Sequence, residues 1–147
     1  MNPKFNEYFM DVAIRTAQLS SAVRLKVGCV AVRDRRIIAC GYNGTGPGED
    51  NVCEIKLPDG TLVTKPNVVH AEINMIDFAK LWDINLVGCS LYITHEPCEP
   101  CAIAVIEAGI IDVIADMAYT GSRKTGREKL GDRLRFMGKF NEVSRTA

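Results

Sequence analysis

Two short motifs in this chain carry side chains that could hold a metal ion together. His70 stands two residues before Glu72, and Cys98 stands three residues before Cys101 in the run PCEPC. If each motif begins a helix, the cysteine spacing places both sulfur atoms on one side of that helix. The partial positive charge at the helix N-terminus then favours thiolates. One imidazole and two thiolates are typical zinc ligands, and three protein ligands leave the fourth position for water. We therefore predict one zinc ion per chain, held by His70, Cys98 and Cys101.

Glu72 is the predicted catalytic residue. It follows His70 closely enough to face the open metal position without binding the metal. There its carboxylate can take a proton from zinc-activated water and return it to a leaving amine. Zinc lowers the pKa of bound water to about 7, so hydroxide is available at neutral pH. H-x-E and P-C-x-x-C together are the signature of zinc-dependent deaminases that act on nucleobases. We predict hydrolytic removal of an amino group from a ring carbon.

The cysteine pair has two other possible roles, in a structural zinc site or as a redox-active pair. A structural zinc site closes with four Cys or His ligands, and Cys53, Cys89 and His95 are the candidates for the fourth ligand. A redox-active C-x-x-C pair is the second alternative. Neither explains why a glutamate stands two residues after His70, so both rank below the catalytic site.

Length and composition describe a small globular chain. It has 147 residues, 47% of them apolar, with 18 Lys plus Arg against 18 Asp plus Glu. This length fits one domain over residues 1–147. No apolar stretch approaches the about 20 residues of a membrane-spanning helix, and residues 1–7 lack the apolar core of a secretory signal. Zero net charge weighs against a nucleic-acid partner, so we expect a cytoplasmic protein that binds neither membranes nor nucleic acid. Cys29 and Cys40 lie in apolar runs and are predicted to be buried.

The pattern of apolar residues predicts an α/β fold around these motifs. Apolar residues three or four apart predict helices, and short β-branched runs predict strands. The predicted helices cover residues 5–19, 70–82, 97–108 and 127–136, and the predicted strands cover residues 27–32, 37–40, 91–94, 112–115 and 139–143. Residues 33–36 form a charged hairpin turn, and a minor hairpin could form within 49–69. Strand–helix–strand units from residue 91 onward favour parallel pairing. We expect a three-layer domain, with a central mixed five-stranded sheet covered by helices.

The motifs and their order resemble the cytidine deaminase superfamily and, within it, the deoxycytidylate (dCMP) deaminases. The likeness covers about residues 5–120. The segments that carry it are KVGCV at 26–30, GYNG at 41–44, HAEIN at 70–74, LYIT at 91–94 and PCEPCA at 97–102. GYNG is the motif that distinguishes the dCMP enzymes. The compact size and the short segment 49–69 are similar to viral (phage) members, whose site of action is the host cytoplasm. The resemblance implies a cytidine-deaminase-like fold.

The resemblance also implies a substrate and its contacts. The substrate is dCMP, and the products are dUMP and ammonia. The backbone N–H of Ala71 and the carbonyl of Thr94 are the expected partners of the base edge, and Asn43 is the expected partner of the sugar. Asn43-Gly44 is also a common turn dipeptide. A monophosphate needs cations or free N–H groups, and the candidates are Arg24 and Lys26, which precede a strand but could equally be a solvated surface pair.

Regulation and assembly follow from the same resemblance. It implies a homohexamer that dCTP activates and dTTP inhibits, with Mg²⁺ on the triphosphate. The effector is expected near the GYNG loop at a subunit contact, where Asn43, Gly44, Gly46 and Gly48 could offer N–H groups to phosphates. A second, structural zinc is not expected, since segment 49–69 holds Cys53 but no histidine. Two alternatives remain open: a tRNA or polynucleotide deaminase with the same site residues, and a non-catalytic interaction module stabilised by zinc.

Overall fold

A five-stranded mixed sheet forms the centre of the computed structural model, which describes residues 2–138. The strands are β1 (Gly28–Arg33), β2 (Arg36–Tyr42), β3 (Glu54–Lys56), β4 (Leu62–Thr64), β5 (Ser90–His95), β6 (Asp112–Met117) and β7 (Leu134–Phe136). The helices are α1 (Pro3–Ala17), α2 (Ala71–Leu81), α3 (Glu99–Glu107) and the single turn α4 (Arg127–Leu130). None of the helices in this part of the chain combines the length and the apolar character that crossing a bilayer requires.

The strand order in the sheet is β2-β1-β5-β6-β7, and β3 pairs with β4 in a separate hairpin. β1 runs antiparallel to both β2 and β5, whereas β5, β6 and β7 run parallel. The turn between β1 and β2 contains Asp34 and Arg35 with positive φ angles of 52° and 59°, as a two-residue hairpin loop requires. The mixed five-stranded sheet, the parallel pairing after residue 91 and both hairpins are confirmed.

Helices cover both faces of the sheet because its strands are apolar on both sides. Successive side chains of a strand point to opposite faces, so Leu91 of β5 joins one hydrophobic core and Tyr92 joins the other. α2 and α3 cover the first face, to which they contribute Met75 and Val105. α1 covers the second face with Phe9. The predicted three layers are therefore present.

The helix predicted over 127–136 is wrong in its second half. The helix ends at Leu130, because Gly131 has a positive φ of 53°, a conformation that glycine adopts at little cost. Leu134–Phe136 then forms β7 and pairs in parallel with β6. This strand takes the place in the sheet for which residues 139–143 were predicted, and those five residues lie outside the part of the chain that the structure describes.

Cys40 is exposed, which contradicts the prediction made from its apolar run, whereas Cys29 is fully buried as expected. β2 is an edge strand, and its burial alternates: Ala39 and Gly41 are buried, while Cys40 and Tyr42 are exposed. An edge position has a neighbouring strand on one side only. An apolar run there does not imply that every side chain is covered.

Gly41 sets how closely β2 approaches the start of α2. A Cβ atom at this position would lie 2.4 Å from the carbonyl oxygen of Ala71 and 2.9 Å from the backbone nitrogen of Met75. We expect Gly41→Ala to lower the free energy of unfolding by about 1–3 kcal/mol, because backbone must move to admit the methyl group. Urea denaturation measures this change. Gly44→Ala is the control, since a Cβ there has no neighbour within 4 Å. An equal loss in both variants would contradict the importance of this close approach.

Candidate active site

The three side chains predicted as metal ligands come together at one point. His70 Nδ1, Cys98 Sγ and Cys101 Sγ all lie within 4.8 Å of one another. His70 Nδ1 is 3.2 Å from the sulfur of Cys101 and 3.5 Å from that of Cys98. Tetrahedral zinc, with bonds of about 2.0 Å to nitrogen and about 2.3 Å to sulfur, separates such atoms by about 3.5 Å. The donor set and its spacing therefore fit a zinc ion.

Two helix N-termini place these ligands. His70 is the N-cap residue of α2 and Cys98 is the N-cap residue of α3, and both have extended backbone conformations. The Ala102 N–H donates to the Cys98 carbonyl at 2.9 Å and closes the first turn. Proline in the first turn of α3 is favourable because no intrahelical partner is available for an N–H there. The prediction that each motif opens a helix is correct.

Hydrogen bonds within the cluster favour thiolate charge. A hydrogen bond from Cys101, reinforced by one from His70, lowers the pKa of Cys98 to about 4. The hydrogen bond to Cys98 also raises the pKa of Cys101, and burial raises it further. The hydrogen bond with Cys98 raises the pKa of His70 above its ordinary value. The two thiols thus share a proton that a bound cation would replace.

Glu72 lies in the first turn of α2 and is only 3% exposed. Burial raises its pKa to about 7, although its own backbone N–H and the nearby His70 oppose that shift. A carboxyl group with a pKa near neutrality can both accept and release a proton at physiological pH. Glu72 is not part of the ligand cluster, in keeping with its predicted position beside the metal and not on it.

A cavity of about 270 Å³ opens onto this cluster. His70, Ala71, Glu72 and Cys98 line it together with residues from five other segments of the chain. Those other lining residues are Arg24, Leu25, Val27, Asn43, Thr64, Val68, His95, Glu96, Tyr119, Thr120 and Gly121. The volume is near the lower end, about 300 Å³, of pockets that bind small ligands.

The two predicted phosphate-binding residues have different surroundings. Arg24 lines the cavity, and its Nη1 donates to Thr64 Oγ1 at 3.0 Å. Its backbone N–H donates to the Glu54 carboxylate at 3.0 Å, which holds this turn in place. Lys26 is exposed and does not line the cavity. The geometry therefore favours Arg24 and does not support Lys26.

Asn43 lines the cavity, but its amide also supports the neighbouring turn. Its Oδ1 accepts the Val27 N–H at 2.8 Å, and its Nδ2 donates to the Leu25 carbonyl at 2.8 Å. One N–H and one lone pair of the amide remain for another partner. Asn43 and Gly44 do not form the turn that this dipeptide often makes, since Gly44 pairs with Val69 in an isolated bridge. The free N–H and lone pair of Asn43 leave capacity for the predicted sugar contact.

The two predicted base contacts also differ. Ala71 lines the cavity, whereas Thr94 is buried beside it and is not a lining residue. Thr94 Oγ1 accepts the Gly28 N–H at 3.2 Å and lies 2.9 Å from His95 Nδ1. His95 itself lines the cavity, and burial lowers its pKa, so it is neutral at pH 7. The structure thus places His95, for which the sequence suggested no catalytic role, nearer to the cavity than Thr94.

Sequence reasoning missed Glu96 and residues 119–121. The Glu96 carboxylate is fully buried, and its pKa is lowered by the hydrogen bond from Arg127. An acidic residue directly before the PC motif was a signal that could have directed attention to it. No local sequence pattern after β6 marks a site at Tyr119, Thr120 and Gly121. Only the tertiary structure shows that these three residues line the cavity.

The structure places the three candidates for a fourth zinc ligand outside the ligand cluster. Within residues 2–138, Cys53, Cys89 and His95 do not join the ligand cluster. The closest described contact of Cys89 Sγ is the Nη1 of Arg33, at 3.7 Å, and Cys53 Sγ lies 3.7 Å from the Asn51 carbonyl oxygen. The closed structural site is therefore wrong for this cluster. A catalytic zinc site has three protein ligands and one open position, and this cluster offers three.

The predicted effector residues do not share one cavity. Gly44, Gly46 and Gly48 line a second cavity of about 550 Å³, while Asn43 lines the first. Glu49 and Asp77 supply carboxylates to the second cavity, and its lining residues, all within the described part of the chain, include no Lys or Arg. The Gly44 N–H already donates to the Val69 carbonyl at 3.1 Å, which contradicts its predicted role as a phosphate donor. The charge of this lining alone also does not suit a triphosphate.

Comparison with known proteins identifies relatives of this chain. The family model described as cytidine and deoxycytidylate deaminase zinc-binding region matches residues 3–117. A deoxycytidylate deaminase of Mycobacterium phage D29 is 35% identical over 122 residues, which span 76% of this chain and 94% of that protein. A deoxycytidylate deaminase of Pongo abelii is 39% identical over 132 residues, which span 86% of this chain and 73% of that protein.

A solved structure extends the comparison to three dimensions. The dCMP deaminase from the cyanophage S-TIM5, in complex with dCMP and dUMP, matches with a TM-score of 0.81 and 32% identity. The match covers 93% of this chain and 99% of that chain. The fold is therefore cytidine-deaminase-like, as the motifs implied.

Proposed function

This chain belongs to the cytidine and deoxycytidylate deaminase family, and from that membership we propose that it hydrolyses dCMP to dUMP and ammonia. The observation that carries the proposal is one cavity that holds His70 and Cys98 of the ligand cluster together with the buried Glu72. Relatives named deoxycytidylate deaminase, and a related structure with dCMP and dUMP bound, support the choice of substrate. Membership in this enzyme family contradicts the non-catalytic interaction module.

One zinc ion per chain would be held by His70 Nδ1, Cys98 Sγ and Cys101 Sγ, since the geometry of these atoms fits it. When bound, zinc would acidify water to a pKa of about 7 and so make a nucleophile available at neutral pH. The cysteines must be deprotonated to serve as ligands. The low pKa of Cys98, about 4, meets that condition for one of the two without assistance.

Glu72 moves the protons of the reaction. In the deamination of dCMP, an oxygen from water forms a bond to C4 of the cytosine, and the bond from C4 to the amino nitrogen breaks. Glu72 accepts the first proton from the attacking water and delivers it to N3 of the ring. It then transfers the second proton, from the hydroxyl group formed at C4, to the departing amino group, which leaves as ammonia. Its burial excludes bulk water from the exchange and holds its pKa near the pH at which it must work.

The substrate contacts are assigned from the lining of the cavity, except for Thr94, which is assigned from the resemblance to the family because it does not line the cavity. The Ala71 N–H and the Thr94 carbonyl are assigned to the base edge, and the spare N–H of Asn43 to the sugar. Arg24 is assigned to the monophosphate, because it is the lining residue with a permanent positive charge. Lys26 was the second candidate for the monophosphate, and its exposed position outside the lining weighs against it.

Arg24→Gln should raise KM for dCMP by about 10–100-fold, the effect of losing one hydrogen bond to a charged group. KM for deoxycytidine should not change, because that substrate has no phosphate to bind. Steady-state kinetics with both substrates measure the difference. Lys26→Gln is the matched control and should leave both constants unchanged. If Lys26→Gln alone weakens dCMP binding, the assignment of the phosphate contact is reversed.

The choice of substrate is tested with a panel of nucleotides. Ammonia release is measured with dCMP, dCTP, deoxycytidine and a tRNA anticodon stem-loop. We expect turnover with dCMP and the slowest or no turnover with the RNA. Product from the RNA alone would instead support the polynucleotide deaminase, which shares His70, Glu72, Cys98 and Cys101.

Regulation by dCTP as activator and dTTP as inhibitor, in a homohexamer, is the expected mode of control. The support in this chain is the second cavity, lined by Gly44, Gly46 and Gly48. Glu49 and Asp77 offer the oxygen ligands that Mg²⁺ prefers, while the cations for a triphosphate would have to come from outside the described lining of this cavity. Rate curves against dCMP concentration with and without dTTP and Mg²⁺ test this control, and superimposable curves would contradict it.

Light scattering tests the hexamer. A cytoplasmic location stays a prediction.

A further inference from the structure

A buried carboxylate that the mechanism does not use lies beside the active-site cavity. The Glu96 side chain is completely buried, and Glu96 lines the cavity next to Cys98. Its Oε1 accepts the Tyr119 N–H at 3.1 Å and the Arg127 Nη2 at 2.6 Å, and its Oε2 accepts the Arg127 Nε at 2.9 Å. A charge that is buried at this level persists only when it is paired and hydrogen-bonded. Three N–H donors satisfy that condition.

Both partners of Glu96 adjoin one segment, residues 118–126, which we call the strap. The strap leaves the sheet after Met117, the last residue of β6, and reaches α4 at Arg127. Its first half, which includes Tyr119, Thr120 and Gly121, lines the active-site cavity. Glu96 therefore contacts the strap near its beginning, through Tyr119, and the chain at its end, through Arg127.

The second half of the strap lies against the metal-ligand segment 97–101. The Gly126 N–H donates to the Pro97 carbonyl at 2.8 Å, and the Glu99 N–H donates to the Lys124 carbonyl at 2.9 Å. A Cβ at Gly126 would lie 2.4 Å from the Cβ of Ala102, so the two segments are in close contact. These backbone hydrogen bonds, together with the ion pair between Lys124 and Glu99 at 3.2 Å, hold this half of the strap in place.

The first half of the strap has far fewer attachments. Within residues 2–138, the hydrogen bond that joins residues 118–122 to the rest of the protein outside the strap is the one from the Tyr119 N–H to Glu96. The Tyr119 hydroxyl accepts the Arg123 N–H, but that bond lies within the strap. The position of the cavity-lining residues thus depends on one carboxylate, whose own position depends on Arg127.

We infer that Glu96 and Arg127 form a positioning pair that holds residues 119–121 at the active-site cavity and thereby contributes to substrate binding. The inference rests on the proposed function for the identity of the substrate. The pair acts through the strap, and not through the metal, because the backbone hydrogen bonds that join segment 97–101 to the strap and to α3 do not involve the side chains of the pair.

Arg127→Gln tests the inference. We expect KM for dCMP to rise by about tenfold, the effect of losing a hydrogen bond between charged groups, with a smaller change in kcat. The zinc content should stay equal to that of the wild type. Hydrogen–deuterium exchange should become faster in residues 118–122 and stay unchanged in residues 97–102. A pair that served stability alone would lower Tm but leave KM unchanged below Tm.

Three further variants make the test specific. Glu96→Gln keeps the size of the side chain and keeps Arg127, whose guanidinium also lies 5.4 Å from the Phe136 ring centroid, so its effect isolates the carboxylate. Glu96→Gln should change KM and hydrogen–deuterium exchange as much as Arg127→Gln does. Arg127→Lys retains one charged donor and should give an intermediate KM, and it serves if the glutamine variants do not fold. Arg135→Gln, which removes an exposed ion pair of 3.6 Å with Asp112, is the matched control and should change nothing at the site.

The outcomes separate this inference from the proposed function. Unchanged KM and unchanged exchange in the Glu96 and Arg127 variants would overturn the inference. Loss of zinc would also overturn it, since the pair would then hold the metal ligands. If the wild type does not deaminate dCMP, the proposed function fails, while faster exchange in residues 118–122 of the variants still supports the positioning pair.

Discussion

Replacing Glu72 with glutamine should leave zinc bound and reduce kcat by about 10²–10⁴-fold, the contribution of general acid–base catalysis. Glutamine has nearly the same shape as glutamate but cannot accept and return a proton at neutral pH. Glu72 is outside the ligand cluster, so the metal does not depend on it. Steady-state kinetics with dCMP, together with metal analysis of the same sample, measure both parts of this expectation.

The control for this experiment is Glu107→Gln. Glu107 is the last residue of α3, is exposed, and does not line the cavity. It should have wild-type kinetics, so a loss common to both variants would point to a general effect of removing a negative charge. Turnover by Glu72→Gln at the wild-type rate would remove Glu72 from the proton transfers and would require another base in the cavity.

Replacing Cys101 with alanine should abolish both zinc binding and activity. Cys101 supplies one of three protein ligands, and a site with two ligands retains neither the tetrahedral geometry nor the charge that binds zinc tightly. A ligand that binds the folded state at about 1,000 times its Kd stabilises that state by about 4 kcal/mol. A chelator should therefore lower the Tm of the wild type and leave the Tm of Cys101→Ala unchanged.

Cys40→Ala is the matched control for the loss of a thiol. Cys40 is exposed on β2 and is not part of the ligand cluster, so this variant should keep its zinc, its activity and its response to the chelator. Wild-type zinc content in Cys101→Ala would show that a different side chain completes the site. Cys98→Ala should reproduce the loss, because the two sulfur atoms occupy equivalent places next to His70 Nδ1.

The fold places this chemistry where the chain changes from extended to helical backbone. His70 and Cys98 cap α2 and α3, and β5 ends at His95, three residues before Cys98. N-cap residues have extended backbone, and their side chains lie near the positive end of the helix dipole. Such a position favours the thiolate of Cys98, whose pKa is lowered to about 4, while burial raises the pKa of Glu72 to about 7. The arrangement explains why a small chain can hold several negative groups in one buried site.

The residues that carry the chemistry could be predicted because their arrangement is local. The spacing of Cys98 and Cys101 places both sulfurs on one side of any helix that begins at Cys98. Glu72 lies in the first turn of the helix that His70 caps, so both residues stand at the same helix end. The sheet and its pairing could also be predicted, since alternation in strands and periodicity in helices depend on neighbouring residues. The hairpin between β1 and β2 has equally local causes.

Other features depend on contacts that no local pattern encodes, and only the tertiary structure decided them. Cys40 is exposed because its strand lies at an edge of the sheet. Lys26 is exposed and does not line the cavity that Arg24 lines. Leu134–Phe136 is a strand because β6 offers it a partner. Glu96 and Arg127 are 31 residues apart, yet they meet at 2.6 Å. Helix and strand geometry act over a few residues, whereas burial, edges and ion pairs depend on which distant segments the folded chain brings together.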